Sequence, residues 1–179
     1  LLRTARHAVA EVLGAGTATA PAADAELRAV GSSFVTLTLG GRLRGCVGSL
    51  SFDRPLIDDV SENAVAAAFR DRRFPPLRRE ELAAVRFEVS VLSVPEPLPA
   101  AATVEEAARL LRPGFDGVVL ERGAARGVFL PQVWESLPAP LEFLRQLRRK
   151  AGLAEAGWDE ATRLWRFGVE KWSEEPPAG

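Results

Sequence analysis

From Val85 to Val94 the chain reads Val-Arg-Phe-Glu-Val-Ser-Val-Leu-Ser-Val. Strict alternation over this length predicts a strand with one buried face, because successive strand side chains point to opposite sides. A second β signal lies upstream. After Gly31-Ser32-Ser33, the run Phe34-Val35-Thr36-Leu37-Thr38-Leu39 alternates with β-favouring residues, Gly40-Gly41 reads as a tight turn, and Arg42 to Leu50 returns as the partner strand. Gly45 and Gly48 inside that strand mark a bulge or a close backbone approach.

Helical periodicity fills the spaces between. Leu2, Ala5, Arg6, Val9, Ala10, Val12 and Leu13 repeat at helical spacing until Gly14 and Gly16, and residues 17–25 read as an Ala/Pro loop. From Asp53 to Phe69, Pro55 suits a first turn, while Leu56, Ile57, Val60, Ala64, Ala67 and Ala68 form one apolar stripe. Asp71-Arg72-Arg73-Phe74-Pro75-Pro76 ends that helix, since proline and its preceding residue resist helical geometry. Pro95 to Pro99 is a stiff connector, and Thr103 with Glu106 has capping-box spacing for a helix to Leu111. Gly117-Val118-Val119-Leu120 and Gly127-Val128-Phe129-Leu130 flank a turn at Arg122-Gly123. Leu137 to Lys150 is a leucine-striped basic helix ended by Gly152, Arg163 to Trp172 is a last strand, and residues 176–179 form a disordered tail.

This order lacks both the βαβα rhythm and the phosphate-loop glycines of a doubly wound nucleotide binder. The expectation is α+β: a mostly antiparallel sheet with flanking helices, a single domain over 1–175 whose larger and smaller lobes share one compact unit. A two-lobe division near 95–102 is the alternative. With 179 residues, such a chain buries roughly 70% of its unfolded surface.

Composition narrows the chemistry. One cysteine excludes an internal disulfide and fits a reducing compartment, so a cytoplasmic location is expected. One histidine and no CxxC, HxxxH or EF-hand spacing give no ligand set, and neither a metal nor a cofactor is expected. A formal charge of -1 provides no global field for nucleic acid or anionic lipid. No apolar run nears the roughly 18 residues of a membrane span, and the N-terminus has no signal-peptide pattern. Neither nucleic acid nor membrane is an expected partner. Methionine is absent even at position 1, which suggests a piece of a longer product.

Cys46 is the sharpest chemical candidate. Alternation puts Arg42, Arg44 and Cys46 on one face unless a bulge intervenes, arginines lower a thiol's pKa, and flanking Gly45 and Gly48 admit a ligand close to the backbone. Against this, free cysteine commonly fills core. A nucleophile also needs a base. His7 lies in a separate helix, and Glu62 and Glu88 serve only if desolvated. Asn63 heads a run of small residues with its amide free to hold backbone groups. Asp71, Arg72 and Arg73 form either a structural corner or an anion site. Arg145, Arg148, Arg149 and Lys150 concentrate charge on one helix, most simply a solvated face.

At Leu43-Arg44-Gly45-Cys46-Val47-Gly48 the chain resembles the AMMECR family. The likeness continues through Phe34-Val35-Thr36-Leu37, Asn63 to Phe69, Asp71 to Leu77, Glu81-Leu82, Glu88-Val89-Ser90-Val91-Leu92, Gly117, Leu130-Pro131-Gln132-Val133, Phe143-Leu144, Lys150-Ala151-Gly152-Leu153 and Trp158, in order along nearly the whole chain. The resemblance implies an α+β fold of two subdomains and no established catalytic activity. Prokaryotic members are often encoded beside, or fused to, a Memo-like dioxygenase-fold protein and a radical-SAM protein, which implies a shared modification pathway. Two departures matter: Arg148 stands where many prokaryotic members carry a second cysteine, and the segment from Trp134 to Pro140 is shortened. A two-cysteine mechanism is therefore not expected.

The leading expectation is an accessory or substrate-binding component of a modification system. Its cleft would be built from Arg44, Gly45, Gly48, Asn63, Asp71 and Arg73 beside Cys46. The alternatives are a cysteine-dependent transferase or hydrolase with Cys46 as nucleophile, and a regulatory interaction domain.

Overall fold

The computed structural model describes residues 1–16, 24–154 and 157–175. In chain order the helices are α1 (Leu2–Val12), α2 (Ala25–Arg28), α3 (Leu56–Phe69), α4 (Val104–Arg109) and α5 (Pro140–Lys150). The strands are β1 (Ser32–Leu39), β2 (Arg42–Gly48), β3 (Val85–Leu92), β4 (Glu96–Pro97), β5 (Gly117–Arg122), β6 (Ala125–Phe129), β7 (Arg163–Phe167) and β8 (Val169–Ser173). They form two sheets, ordered β2-β1-β3-β8 and β4-β7-β5-β6, and the described pairings within them are antiparallel. The α+β expectation holds. No helix among the described residues is long and apolar enough to cross a membrane.

Contacts cluster into two compact units, Ser93–Val169 and the segments on either side of it. In the first unit, α1 and α3 cover one face of the sheet. Alternation directs Val35 and Leu37 of β1 and Val85, Phe87 and Val89 of β3 onto that face, where they bury Ala5, Val9, Val60, Ala64 and Ala67. The α3 alanines matter because they let helix and sheet backbones approach closely. Arg6 of α1 donates to the carbonyls of Leu82 and Val85, each at 2.8 Å, which fixes that helix against the start of β3.

In the second unit, Val118, Leu120 and Leu164 pack against Phe143, Leu144 and Leu147 of α5. Trp134 stacks on Phe143 at 3.8 Å between ring centroids and donates its Nε1–H to the Asp116 carbonyl at 2.7 Å. α4 begins as its spacing foretold, with Thr103 Oγ1 accepting the Glu106 N–H at 3.2 Å.

Three expectations need correction. The single strand read from Arg163 to Trp172 is two strands in different sheets. At Gly168 the N–H donates to Ser93 Oγ and the carbonyl accepts the Ser93 N–H, which interrupts the ladder. The helix read from Leu137 begins at Pro140, after a 3-10 turn over Pro131–Glu135. Pro55 precedes α3 instead of entering its first turn. The tail at 176–179 and most of the loop at 17–25 lie outside the described residues.

Candidate functional site

The ladder between β1 and β2 is regular from Phe34↔Gly48 to Leu37↔Gly45, then slips so that Thr38 faces Leu43. Arg44 is the extra residue of this bulge, and the slip breaks the alternation that would have aligned Arg42, Arg44 and Cys46. Arg44 instead turns inward and is 8% exposed. Its Nε and Nη2 each lie 3.0 Å from a Glu81 carboxylate oxygen, while Nη1 and Nη2 donate to the carbonyls of Pro75 and Pro76 at 2.8 and 3.2 Å. The Arg44 guanidinium, helped by the Arg78 N–H, lowers the Glu81 pKa to about 2. Arg44 therefore ties strand to corner, and its charge is spent away from the thiol.

The glycines likewise face their own chain. A Cβ on Gly45 would stand 2.1 Å from the Ala67 carbonyl oxygen of α3, and one on Gly48 would meet the Phe34 ring at 2.2 Å. The space expected for a ligand beside the thiol is filled by a helix backbone and an aromatic ring.

Cys46 sits opposite Thr36, on the sheet face away from α1 and α3, and is half-buried. Thr36 Oγ1 donates to Cys46 Sγ at 3.3 Å. β2 is an edge strand, and its outward backbone groups at Cys46 are answered by side chains: Asp71 Oδ2 accepts the N–H at 2.9 Å and Arg73 Nη2 donates to the carbonyl at 3.2 Å. Arg73 also donates to both Asp71 oxygens, at 2.9 and 2.7 Å. That pairing, reinforced by the Cys46 N–H, holds the Asp71 carboxyl far below the usual carboxylate range. Asp71 and Arg73 thus form a clamp on the motif backbone.

No candidate base reaches the thiol. His7 belongs to the helical layer across the sheet and faces Glu11 at 3.5 Å. Glu88 shares the thiol's sheet face, but Thr36 stands between them, so the two are separated by two strand spacings, about 10 Å. Its carboxylate accepts from Ser173 at 3.0 Å and faces Lys171 at 3.7 Å. Glu62 is paired with Arg54 and, at 3.8 Å, with Arg70. Among the described residues no three His, Cys, Asp or Glu side chains gather as a metal cluster.

A concavity does open beside the motif strand, between its end and α3, with a volume of about 270 Å³. Ser49, Asp59 and Asn63 form its floor, Val47 and Ala66 its apolar wall, and Arg54, Glu62 and Arg70 its rim. Asn63, expected at the site, is 6% exposed and donates its Nδ2 hydrogens among Ser33 O, Ser33 Oγ and Asp59 Oδ2. Asp59 is the residue that sequence reasoning missed. In sequence it is one of two acids in a helix's first turn, and only its spacing of four from Asn63, which puts both on one helix face, sets it apart. The basic helix also departs from expectation: Arg148 is 2% exposed, donates to the Ala154 and Gly157 carbonyls, and has its pKa lowered by burial. It belongs to the core of α5 rather than to a solvated charged face.

Comparison with known proteins agrees across the chain. The AMMECR1 family model matches residues 2–172. A protein of Methanothermobacter thermautotrophicus is 43% identical over 79% of this chain and 74% of its own length. A Thermococcus gammatolerans protein is 38% identical over 100% of this chain and 91% of its own. The crystal structure of the uncharacterized protein PH0010 from Pyrococcus horikoshii superposes with a TM-score of 0.82 at 36% identity, covering 99% of this chain and 91% of that one.

Proposed function

The chain belongs to the AMMECR1 family, one without an established activity, and from that premise we propose that it is the substrate-binding, accessory component of a modification system. The cavity floored by Asn63 and Asp59 receives the substrate, and a partner carries out the chemistry. One observation carries this reading: a small-molecule-sized cavity with a polar, buried floor adjoins a motif whose thiol meets the Thr36 hydroxyl and none of His7, Glu62 and Glu88. The resemblance to members encoded with Memo-like and radical-SAM proteins supports those as the partner class. The direct test is affinity capture of tagged protein with its encoded neighbours. Co-purification of either one is the expected result, and failure of both to associate, with or without candidate substrates, removes the complex from consideration.

A second reading, a cysteine-dependent transferase or hydrolase, is favoured by one contact. Thr36 donates to Cys46 Sγ, so the sulfur has a polar partner rather than a wholly apolar surround. The hydroxyl supplies no base, however, and Arg44 is committed elsewhere. Native protein should label with a thiol reagent much more slowly than denatured protein, and Cys46→Ser should keep its partners and fold. Rapid native labelling, together with loss of a measured turnover in Cys46→Ser, would restore the nucleophile.

A further inference from the structure

The donors around the cavity floor are all committed. The Ser33 N–H, the Ser33 hydroxyl and Asn63 Nδ2 converge on Asp59 Oδ2 at 2.7, 2.7 and 2.9 Å, and Ser49 Oγ donates to Asp59 Oδ1 at 2.7 Å. These contacts fix the orientation of the Asn63 amide. What remains unused is acceptor capacity. Asn63 Oδ1 accepts nothing from the described residues, and Asp59 Oδ1 accepts only from Ser49. Asp59 is 2% exposed, yet no described cationic side chain lies within ion-pair distance of it. Its charge is offset by hydrogen bonds and by its place in the first turn of α3. A buried carboxylate normally has a cation or a metal beside it. One carboxylate and one amide oxygen are too few for an all-protein calcium cage, which draws on about six to eight oxygens.

We infer that the cavity takes the protonated primary amine of a small molecule. The ammonium group donates to Asp59 Oδ1 and Asn63 Oδ1, and its aliphatic part lies against Val47 and Ala66. The ligand's other end lies at the rim, where Arg54 and Arg70 are already paired with Glu62. The volume of about 270 Å³ is at the lower edge of ligand pockets and suits a molecule of amino-acid size. This inference rests on the substrate-binding reading above and names the substrate class for the same cavity.

The test is a titration followed through methyl resonances of Val47 and Ala66, with butylamine, γ-aminobutyrate, butyrate and butyramide as matched four-carbon probes. Saturable shifts with the two amines but not with butyrate or butyramide are expected. Asp59→Asn should weaken butylamine binding about tenfold or more, as for loss of a charge-assisted hydrogen bond. Because Asp59 also holds Ser33, Ala66→Leu provides an independent check, read at Val47 alone: it fills the cavity from its wall and should abolish the Val47 shifts while leaving the rest of the spectrum in place. Preference for butyrate or butyramide overturns the amine and leaves the cavity a binding site for another class. Silence with every probe overturns both the amine and the cavity's role, and undiminished butylamine binding in Asp59→Asn overturns the amine.

Discussion

Arg44→Ala should lose about 3–5 kcal/mol of folding stability, the scale for removing one partner from a desolvated ion pair. At about 2–4 °C per kcal/mol for a chain of this size, the melting temperature should fall by roughly 6–20 °C. The guanidinium and the Glu81 carboxylate are only 10% and 12% exposed, so removing Arg44 leaves a poorly hydrated carboxylate with only the exposed Arg78 beside it, at 3.6 Å. Two controls separate this from simple loss of packing. Arg44→Lys keeps the charge but not the fork that meets both Glu81 oxygens and two proline carbonyls, so it should recover only part of the loss. The double variant Arg44→Met with Glu81→Leu removes both charges and should be more stable than Arg44→Ala. The pH dependence has a definite sign. The folded pKa of Glu81, about 2, lies below its ordinary 4.5, so the pair's contribution is complete above pH 4.5 and fades as pH falls toward 2. The stability gap between wild type and Arg44→Ala should therefore narrow over that interval. A loss under about 1 kcal/mol at neutral pH, the size of an exposed ion pair, would show that Arg44 is not an anchor.

What the sequence made legible was whatever depends on local period. The alternation of Val85 onward and of Phe34 to Leu39 named β3 and β1, and the apolar stripe named α3, because each pattern has one periodicity and one buried face. The site was legible only as a neighbourhood. A one-residue slip at Arg44 has no period to betray it, and it sends the arginine from beside the thiol to Glu81, far along the chain. Asp59 was hidden for a related reason: an acid in a helix's first turn already has a local explanation in the helix dipole. Only the chain's return at Ser33 and Ser49 shows its other role. The break at Gly168 leaves no mark in the sequence because residues on both sides are equally strand-like, and the deciding partner, Ser93, is distant in sequence.

The same slip changes what the motif means chemically. Four of its residues are claimed by the fold: Arg44 by Glu81, Gly45 by α3, Gly48 by Phe34, and Cys46, through its backbone, by the Asp71 and Arg73 clamp. The Cys46 side chain itself meets a hydroxyl. The motif is thus better understood as the joint that fixes β2 against α3, and so positions Val47 and Ser49 opposite Asp59 and Asn63, than as an exposed catalytic strand.

Gly45→Ala tests that joint most severely, and the expected loss is about 3 kcal/mol or more. The added methyl would stand 2.1 Å from the Ala67 carbonyl oxygen and 3.0 Å from its carbonyl carbon, so relief requires strand and helix to part by on the order of 1 Å, more than a close-packed core tolerates. Rotamer changes do not help, since the obstacle is main chain in the body of a helix. Separation would loosen Ala64 and Ala67 from Val35 and Leu37, and would carry Asn63 and Ala66 away from the far wall of the cavity. Gly48→Ala is the matched comparison. Its methyl also clashes, at 2.2 Å, but with the half-buried Phe34 ring, which can swing aside. Chemical denaturation should rank Gly45→Ala well below Gly48→Ala in stability. The methyl resonances of Ala66 should move in the first variant, even where it stays folded, and hold still in the second. The reverse order would mean that β2 is not seated on α3, and that Gly45 is kept open for something other than the helix.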